Sequence, residues 1–230
     1  MDAYVPRVSA ERVEQLRRWH EDVSSDLHAR PSSDVEYLGL QLHVPNGVFG
    51  PTPTSDLLGK VVTAHVASGQ AVLDMGCGAG ANAILAAKAG ATVVGVDVNP
   101  VAVNASRANA ARNDVADRTT FVVSDLFDAV DGNFDLVVID PPFRWFSPRT
   151  MLERAITDAD YSTLTAFLRE VPDRLRPGGA ILLFFGTSGD VGYLDEAVAA
   201  SNLVSTTVVE RTITVRGEPT TYFVHRLTNG

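Results

Sequence analysis

A run of glycines at residues 72–80 has the residue types and the spacing to hold a ligand against the backbone. The segment reads VLDMGCGAG, so Asp74 precedes three glycines spaced G-x-G-x-G. Glycine lets the backbone approach a ligand closely and tolerates a positive φ. In a dinucleotide-binding loop the third glycine comes one position later, where this chain has Ala81. The glycines alone leave a dinucleotide, another nucleotide and a purely structural turn open.

The carboxylate ahead of this loop separates the candidate ligands by charge. A helix N-terminus that binds phosphate normally carries no such carboxylate, because the carboxylate would repel the pyrophosphate. S-adenosylmethionine has no phosphate and carries a sulfonium and an ammonium group, so a carboxylate favours it. We therefore predict S-adenosylmethionine as the cofactor, bound by the loop residues Asp74, Gly76, Cys77, Gly78 and Gly80.

Two further carboxylates end the next apolar runs. Asp97 follows the loop by about twenty residues, where an acidic side chain can accept hydrogen bonds from both ribose hydroxyls. Asp125, in the sequence SDLF, is placed to bind the adenine amino group. Taken singly, each is equally compatible with a helix cap or a solvated loop. Together they predict a cofactor-binding role for Asp97, Val98, Asp125 and Leu126.

The tetrapeptide DPPF at residues 140–143 could present an amine to a reactive methyl group. Its two prolines fix the backbone and remove two N–H donors, which leaves the Asp140 carboxylate and the Pro141 carbonyl as acceptors. Such a pair can hold an NH₂ group, while Phe143 offers a flat face to a planar substrate or a cation. We predict Asp140, Pro141 and Phe143 as catalytic residues. The expected reaction is in-line displacement from the sulfonium, promoted by positioning and desolvation.

The segment RWFSPR follows DPPF directly, and an N-terminal helix carries Trp19 and His20. Both could fold over the active site as a lid that excludes water and binds the acceptor. The alternative is a packing helix and a surface loop. On the first hypothesis, the substrate contacts are Pro142, Arg144, Trp145 and Trp19.

Strands and helices that alternate along the chain must position these residues. Strands are predicted at 71–75, 92–97, 119–124, 134–139 and 180–185, and helices at 81–89, 100–112, 162–175 and 191–200. Continuous apolar strands alternating with helices imply a parallel sheet covered on both faces. Such a sheet binds ligands at the carboxyl ends of its strands. Residues 205–215 and 220–227 predict a terminal hairpin that adds an antiparallel strand at the edge.

The N-terminal part has a different pattern. A helix is predicted at 10–28 with Ser9 as its N-cap, followed by extended structure from Val35 to Val44. A passage rich in proline and glycine at 44–53 then marks a boundary. The predicted division is an N-terminal appendage at 1–45 and one α/β domain at 46–230.

Composition restricts the class of partner. The net charge is −9 and the pI about 4.9, whereas a nucleic-acid ligand normally demands a basic face, so the balance argues against nucleic acid as the main partner. The single cysteine, Cys77, allows no intrachain disulfide and favours a cytoplasmic location. No membrane segment and no metal-ligand cluster is predicted. The oligomeric state is not predicted.

From about residue 48 to 226 the motifs as a set resemble the class I S-adenosylmethionine-dependent methyltransferases. They are VLDMGCGAG, GVDVNPVAV, SDLF, DLVVIDPPF and the LRPGG turn. The resemblance implies a doubly wound, Rossmann-like α/β fold whose seven-stranded sheet has an antiparallel last strand. DPPF resembles the D/N-P-P-Y/F motif of methyltransferases that modify adenine amines, guanine amines of ribosomal RNA or glutamine amides. The lead-in GLQLHVPNGVFGPTPTSDLL is similar to that of glutamine methylases and small-domain RNA methyltransferases, which implies a position near the methionine end of the cofactor for Thr54, Pro51 and Thr52.

The sequence departs from the glutamine methylases at Asp140, where they carry Asn. A carboxylate can accept a departing proton or attract a cation, which favours a guanidine, an amine or a nucleobase as acceptor. Given the short appendage and the charge, the predicted function is N-methylation of a small molecule, such as an amino acid or a guanidine-bearing metabolite. The alternatives are methylation of ribosomal RNA guanine or protein glutamine, and an S-adenosylmethionine-using enzyme or binding module that transfers no methyl group.

Overall fold

The computed structural model describes residues 4–230, so the first three residues of the predicted appendage lie outside the described part. Helix α1 (Ala10–His28) has the predicted bounds, and the Ser9 hydroxyl caps it by accepting a hydrogen bond from the Arg12 amide. The extended segment that follows is a hairpin of β1 (Ser33–Tyr37) and β2 (Leu40–Val44). Its turn is Leu38-Gly39, where both residues have positive φ, as a two-residue hairpin turn requires.

Helix α2 (Asp56–His65) is not among the sequence-based predictions, although its apolar residues Leu57, Leu58, Val61 and Val62 have helical spacing. Gly59 explains how closely it packs on the hairpin. A Cβ at this position would lie 2.5 Å from the Tyr37 hydroxyl, which instead donates to the Ser55 carbonyl. Glycine here lowers helix propensity but permits the contact.

The central sheet has seven strands in the order β5-β4-β3-β6-β7-β9-β8, as expected for a doubly wound fold. They are β3 (Ala71–Met75), β4 (Thr92–Asp97), β5 (Thr119–Val123), β6 (Phe134–Ile139), β7 (Leu175–Gly186), β8 (Leu203–Val215) and β9 (Glu218–Asn229). The last strand, β9, is antiparallel to both neighbours. It lies between β7 and β8, so the edge strand is β8, whereas the sequence analysis placed the antiparallel strand at the edge.

Helices cover both faces of the sheet, which confirms the predicted fold class. These are α3 (Ala81–Lys88), α4 (Pro100–Arg112), α5 (Ser162–Glu170) and α6 (Val191–Ala200), together with α1 and α2. One apolar core lies under α2, α3 and α4, and the other includes residues of α1, α5 and α6.

The largest differences in element bounds occur around β7. Helix α5 ends at Glu170 rather than near residue 175, because a 3₁₀ turn containing Pro172 follows it. Strand β7 begins at Leu175 rather than at residue 180. The Pro-Gly-Gly segment is an irregularity inside the strand, since the register with β6 shifts between Phe134 and Leu136.

Asn109 of α4 and Asn113, which follows the helix as its C-cap, fix the hairpin to the α/β layers. The Asn109 amide bonds both the N–H and the carbonyl of His43, and the Asn113 amide does the same to Gln41. Each side chain thus supplies one residue of β2 with the two backbone hydrogen bonds that a neighbouring strand would otherwise make. The hairpin also packs into the core through Tyr37, Leu40 and Leu42. The division at residue 45 stays a prediction.

Within residues 4–230 no helix combines the length and apolarity that a bilayer crossing requires. The same residues contain no group of three His, Cys, Asp or Glu side chains arranged to hold a metal ion. The cytoplasmic location stays a prediction.

We expect Leu16→Ala to lower the free energy of unfolding by about 2–5 kcal/mol, because Leu16 is fully buried where α1 packs on the core. Arg18→Ala is the matched control, since Arg18 is exposed on the same helix and should change stability by less than about 0.5 kcal/mol. Urea unfolding followed by circular dichroism measures both. Equal stability of the two variants would show that α1 does not pack as described.

Candidate active site

A cavity of about 500 Å³ opens at the carboxyl ends of the parallel strands. The register places three residues side by side at this edge: Met75 lies opposite Val96 in β4 and Ile139 in β6, so Gly76, Asp97 and Asp140 come next. Most of the residues predicted for the site line this cavity. They are Gly76, Cys77, Gly78, Asp97, Val98, Asp125, Leu126, Asp140, Pro141 and Pro142.

The glycine loop has the backbone conformation that the sequence indicates. Gly76, Gly78 and Gly80 have φ values of 75°, 54° and 87°, which favour glycine. A Cβ at Gly76 would meet nothing within 4 Å, whereas one at Gly80 would lie 3.1 Å from Ser106 of α4. Gly76 therefore leaves room beside the cavity, and Gly80 permits the approach of two helices.

Asp74 lies behind the loop and is buried. Its Oδ2 accepts a hydrogen bond of 2.9 Å from the Ala83 amide in the first turn of α3, where a negative charge is favoured by the helix dipole. Burial, with a smaller contribution from the nearby Asp97 carboxylate, raises the pKa of Asp74 to about 7, although the hydrogen bond from Ala83 opposes the rise. Asp74 thus fixes the loop on α3 and is not part of the cavity lining.

Asp97 connects β4 to the loop. Its carboxylate accepts hydrogen bonds from the Gly78 amide at 2.9 Å and the Asn99 amide at 2.8 Å. Burial raises its pKa despite these two bonds. Each carboxylate oxygen has further lone pairs, so Asp97 can accept additional bonds from a ligand in the cavity.

Asp125 and Leu126 form the next part of the wall. Leu126 has a φ of 46°, a costly conformation for a leucine, and Ser124 stabilises it by donating to the Leu126 carbonyl and accepting from the Ala129 amide. The Asp125 carboxylate lies 3.7 Å from the Arg154 guanidinium. In the described part of the chain, Arg154 is the only Lys or Arg that lines the cavity.

Asp140 faces the cavity without a protein partner. Burial raises its pKa to about 7, and the Asp74 carboxylate contributes to the rise. Among residues 4–230, no donor or cation contacts its carboxylate. Asp97 and Asp140 thus line a cavity that has one arginine in its described lining, and the buried Asp74 lies behind its glycine loop. Such a cavity favours a cationic ligand, and S-adenosylmethionine fits it because it carries a sulfonium and an ammonium group.

Seven predicted site residues lie outside the cavity lining, namely Asp74 and Gly80 of the loop and the five described next. The Phe143 ring packs on Phe184, Phe185 and Tyr222, and Trp145 is buried against Tyr4 and Phe146. Thr54 lies within hydrogen-bond distance of the Thr52 hydroxyl, while its neighbour Ser55 lines the cavity. Arg144 and Trp19 contact each other, with the guanidinium carbon 4.7 Å from the ring centroid. The structure thus brings Arg144 and Trp19 together, but outside the cavity lining.

Two segments of which the sequence analysis assigned only a part to the site, Pro51 in the first and Pro148 in the second, also line the cavity. Residues 47–51 contribute from one side, and residues between Pro148 and Ala159 from the other. The first segment has a sequence signal, because glycine and proline concentrate at 44–53. The second has no signal beyond its position after DPPF.

Helix α1 supports the second covering segment from outside. Leu27 packs on Leu152 and Ile156, and Ser24 donates to the buried Glu153 carboxylate. Arg149 also bonds Glu153 and, with Ser24, lowers the pKa of this carboxyl group to about 2. Helix α1 therefore holds a wall of the cavity without lining it, and its role as a lid stays a prediction.

Comparison with known proteins identifies the fold family. Residues 39–207 match the family described as methyltransferase small domain. The chain is 38% identical over 175 residues to a ribosomal protein L11 methyltransferase of Ralstonia pickettii, covering 76% of this chain and 50% of the relative. It is 33% identical over 154 residues to a putative protein N5-glutamine methyltransferase of Methanocaldococcus jannaschii, covering 64% and 76%. It is 38% identical over 153 residues to a ribosomal RNA small subunit methyltransferase C of Chromohalobacter salexigens, covering 64% and 42%.

A solved structure supports the same fold. The 16S rRNA N2 G1207 methyltransferase of T. Thermophilus, in complex with AdoMet and guanosine, superimposes with a TM-score of 0.63 at 23% identity, covering 86% of this chain and 50% of that chain. The chain thus spans half or less of the length of this protein and of two of the three curated relatives.

These matches correct the predicted partner. The sequence analysis favoured a small-molecule acceptor and argued against nucleic acid, but the relatives are named for a ribosomal protein, protein glutamine and ribosomal RNA. The prediction failed because it used the net charge of the whole chain, which does not describe the local surface that meets an acceptor. The predictions of fold class and of S-adenosylmethionine as cofactor are confirmed. The chain belongs to the methyltransferase small domain family.

Proposed function

We propose that this chain is an S-adenosylmethionine-dependent N-methyltransferase whose acceptor is an exocyclic amine of a guanine in ribosomal RNA. The observation that carries the proposal is the unpartnered Asp140 carboxylate beside the cofactor cavity, in a DPPF turn with two prolines. An acceptor NH₂ group can donate to the Asp140 carboxylate and to the Pro141 carbonyl, which orients the nitrogen lone pair.

The roles of the cofactor residues follow from their positions. Asp97 and Asp125 line the cavity on successive strand ends, where they would accept hydrogen bonds from the ribose and the adenine amine. The loop of Gly76, Cys77 and Gly78 would contact the cofactor through its backbone. When bound, S-adenosylmethionine supplies an activated methyl group on a sulfonium. Asp74 and Asp97 lower the energy of a positive charge in their vicinity.

Asp140 distinguishes a nucleobase from a glutamine amide. The glutamine methylases that this chain resembles carry Asn at the corresponding position, and an amide cannot take up a proton. A carboxylate with a pKa near 7 can accept the proton that an exocyclic amine loses after methylation. The relative from Chromohalobacter salexigens, named as a ribosomal RNA methyltransferase, supports RNA as the acceptor.

We expect methyl label from the cofactor to enter ribosomal RNA rather than protein. The purified chain is incubated with methyl-labelled S-adenosylmethionine and, separately, with ribosomal RNA, ribosomal proteins and intact subunits from cells that lack it. Nucleoside digestion should place the label on an N-methylated guanosine. Label confined to protein, at glutamine or at another side chain, would overturn the nucleobase assignment while leaving the cofactor assignment intact.

Substitutions at two cavity carboxylates should affect different kinetic constants. Asp140→Asn should lower kcat by about a hundredfold with an unchanged dissociation constant for S-adenosylmethionine, because proton acceptance is lost and the geometry is kept. Asp125→Asn is the matched control and should weaken cofactor binding by about tenfold with little change in kcat at saturation. Calorimetry and initial rates separate the two effects. Loss of cofactor affinity in the Asp140 variant would refute its assignment to the acceptor.

The activity at limiting cofactor should rise with pH through about 7. Desolvation raises the pKa of Asp140 to about 7, so the carboxyl group is neutral below this pH and able to accept a proton above it. At saturating cofactor the inflection should move to lower pH, since the sulfonium stabilises the carboxylate. The residual activity of Asp140→Asn should lack the inflection. An inflection that persists in this variant would assign it to another group, Asp74 being the first to test.

A further inference from the structure

Arg144 is a buried cation without a protein counter-charge. The residue is 7% exposed, and its Nε has no hydrogen-bond partner. Among the described residues, no ion pair or hydrogen bond involves the guanidinium group. Burial lowers the pKa of Arg144 to about 10, so the group is charged at neutral pH. An unpaired buried charge is unfavourable for folding, and its retention calls for a ligand.

Glu21 and Glu153, which act on the neighbouring His20, and Asp22 and Asp26 are all paired with other arginines. Arg216, in the β8–β9 turn, bonds Asp22 and lies 3.7 Å from Asp26. Arg149 bonds Glu21 and Glu153. Arg144 therefore takes no part in these ion pairs.

The surroundings of Arg144 form a cationic and aromatic site. The Trp19 ring covers the guanidinium at 4.7 Å. His20 is buried beside it with an unpartnered Nδ1, and both burial and the charge of Arg144 lower the pKa of this imidazole. The exposed Arg216 is close enough to lower the pKa of Arg144 as well, after burial. The unpaired guanidinium group, with its unpartnered Nε–H, favours an anion.

This site lies outside the cavity lining but in the same loop as Asp140. Arg144 follows Asp140 by four residues in the loop after β6. Tyr222 of β9 lies near both groups: burial raises the pKa of its phenol, Arg144 lowers it and Asp140 raises it. The Phe143 ring packs on Tyr222 from the same loop, with centroids 6.1 Å apart. An acceptor whose reactive nitrogen meets Asp140 would thus extend past Tyr222 towards Arg144.

We propose that Arg144, flanked by Trp19 and His20, is an oxyanion receptor that binds a backbone phosphate of the RNA acceptor close to the methylated nucleotide. The guanidinium group presents planar N–H donors that match two oxygens of a phosphate, with strength that a lysine ammonium does not equal. The inference rests on the proposed function for the source of the phosphate, but the oxyanion site itself does not. A buried receptor of this kind allows RNA recognition by a chain whose net charge is −9.

Inorganic phosphate tests the site independently of any acceptor. Trp19 and Trp145 are the only tryptophans, so intrinsic fluorescence reports on the ring that covers Arg144. At constant ionic strength, phosphate should give a saturable change in the wild-type chain and none in Arg144→Met. Arg169→Met is the matched control, because Arg169 is an exposed arginine of α5 paired with Glu170, and it should titrate like the wild type. Equal phosphate binding by the Arg144 variant, or none by the wild type, would overturn the proposal.

Thermal unfolding distinguishes a receptor from a structural arginine. Without phosphate, Arg144→Met should unfold at the same or a higher temperature than the wild type, since methionine removes an uncompensated buried charge. Phosphate should raise the unfolding temperature of the wild type and of Arg169→Met only. A marked loss of stability in Arg144→Met would assign the residue a structural role instead. Arg144→Lys then provides a second variant that keeps the charge and should retain weakened phosphate binding.

The RNA arm of the experiment identifies the source of the oxyanion. With ribosomal RNA as acceptor, Arg144→Met should raise KM by about tenfold to a hundredfold, with the cofactor dissociation constant unchanged. Free phosphate should compete with RNA in the wild type. Phosphate binding without any RNA methylation would refute the proposed function and leave the oxyanion site standing. RNA methylation with an unchanged KM in the Arg144 variant would refute the phosphate contact alone.

Discussion

The carboxylates at the ends of adjacent strands impose the central constraint on this molecule. Parallel pairing of β3 with β4 and β6 places Gly76, Asp97 and Asp140 next to each other. Asp97 and Asp140, together with Asp74 behind them, are shielded from water and form no ion pair with a cation among the described residues. Burial raises the pKa of all three carboxyl groups. A cationic ligand would lower the electrostatic cost of burying these carboxylates. The glycine loop, α3 and the covering segments are then the parts that keep water out and hold the acids in place.

The segment after DPPF shows how the fold holds one wall of the cavity. The buried Tyr161 hydroxyl donates to the Phe143 carbonyl and accepts from the Asp190 amide, which joins the loop after β6 to the turn after β7. Asp160 and Tyr161 both have a φ of 53°, an unfavourable conformation for residues with a Cβ. Asp158 offsets part of that cost by accepting from the Thr163 and Leu164 amides at the start of α5. Strain of this kind is characteristic of sites where backbone geometry serves ligand binding.

Charge is divided between the two sides of the site. The cofactor cavity is rich in carboxylates and is lined by one arginine, Arg154, while Arg144, four residues after Asp140, makes no ion pair with an acid among the described residues. A cation and an anion would thus bind next to each other without competing for the same groups. A net charge summed over 230 residues hides this division, which is why it misled the prediction of the acceptor.

The sequence by itself determined the layers of the fold and the cofactor loop. Bounds such as those of β3, β4, β6 and α4 were predictable because strand and helix periods, caps and glycines act over a few residues. Tertiary structure alone decided which distant segments meet. It inserted β9 inside the sheet, brought residues 148–159 over the cavity and placed Trp19 on Arg144, more than a hundred residues later in the chain. The Phe143 ring packs on Phe185, and the Asp140 carboxylate has no hydrogen-bond or ion-pair partner among the described residues. Burial and unpaired charge depend on contacts between distant segments, and local sequence patterns carry no record of those contacts.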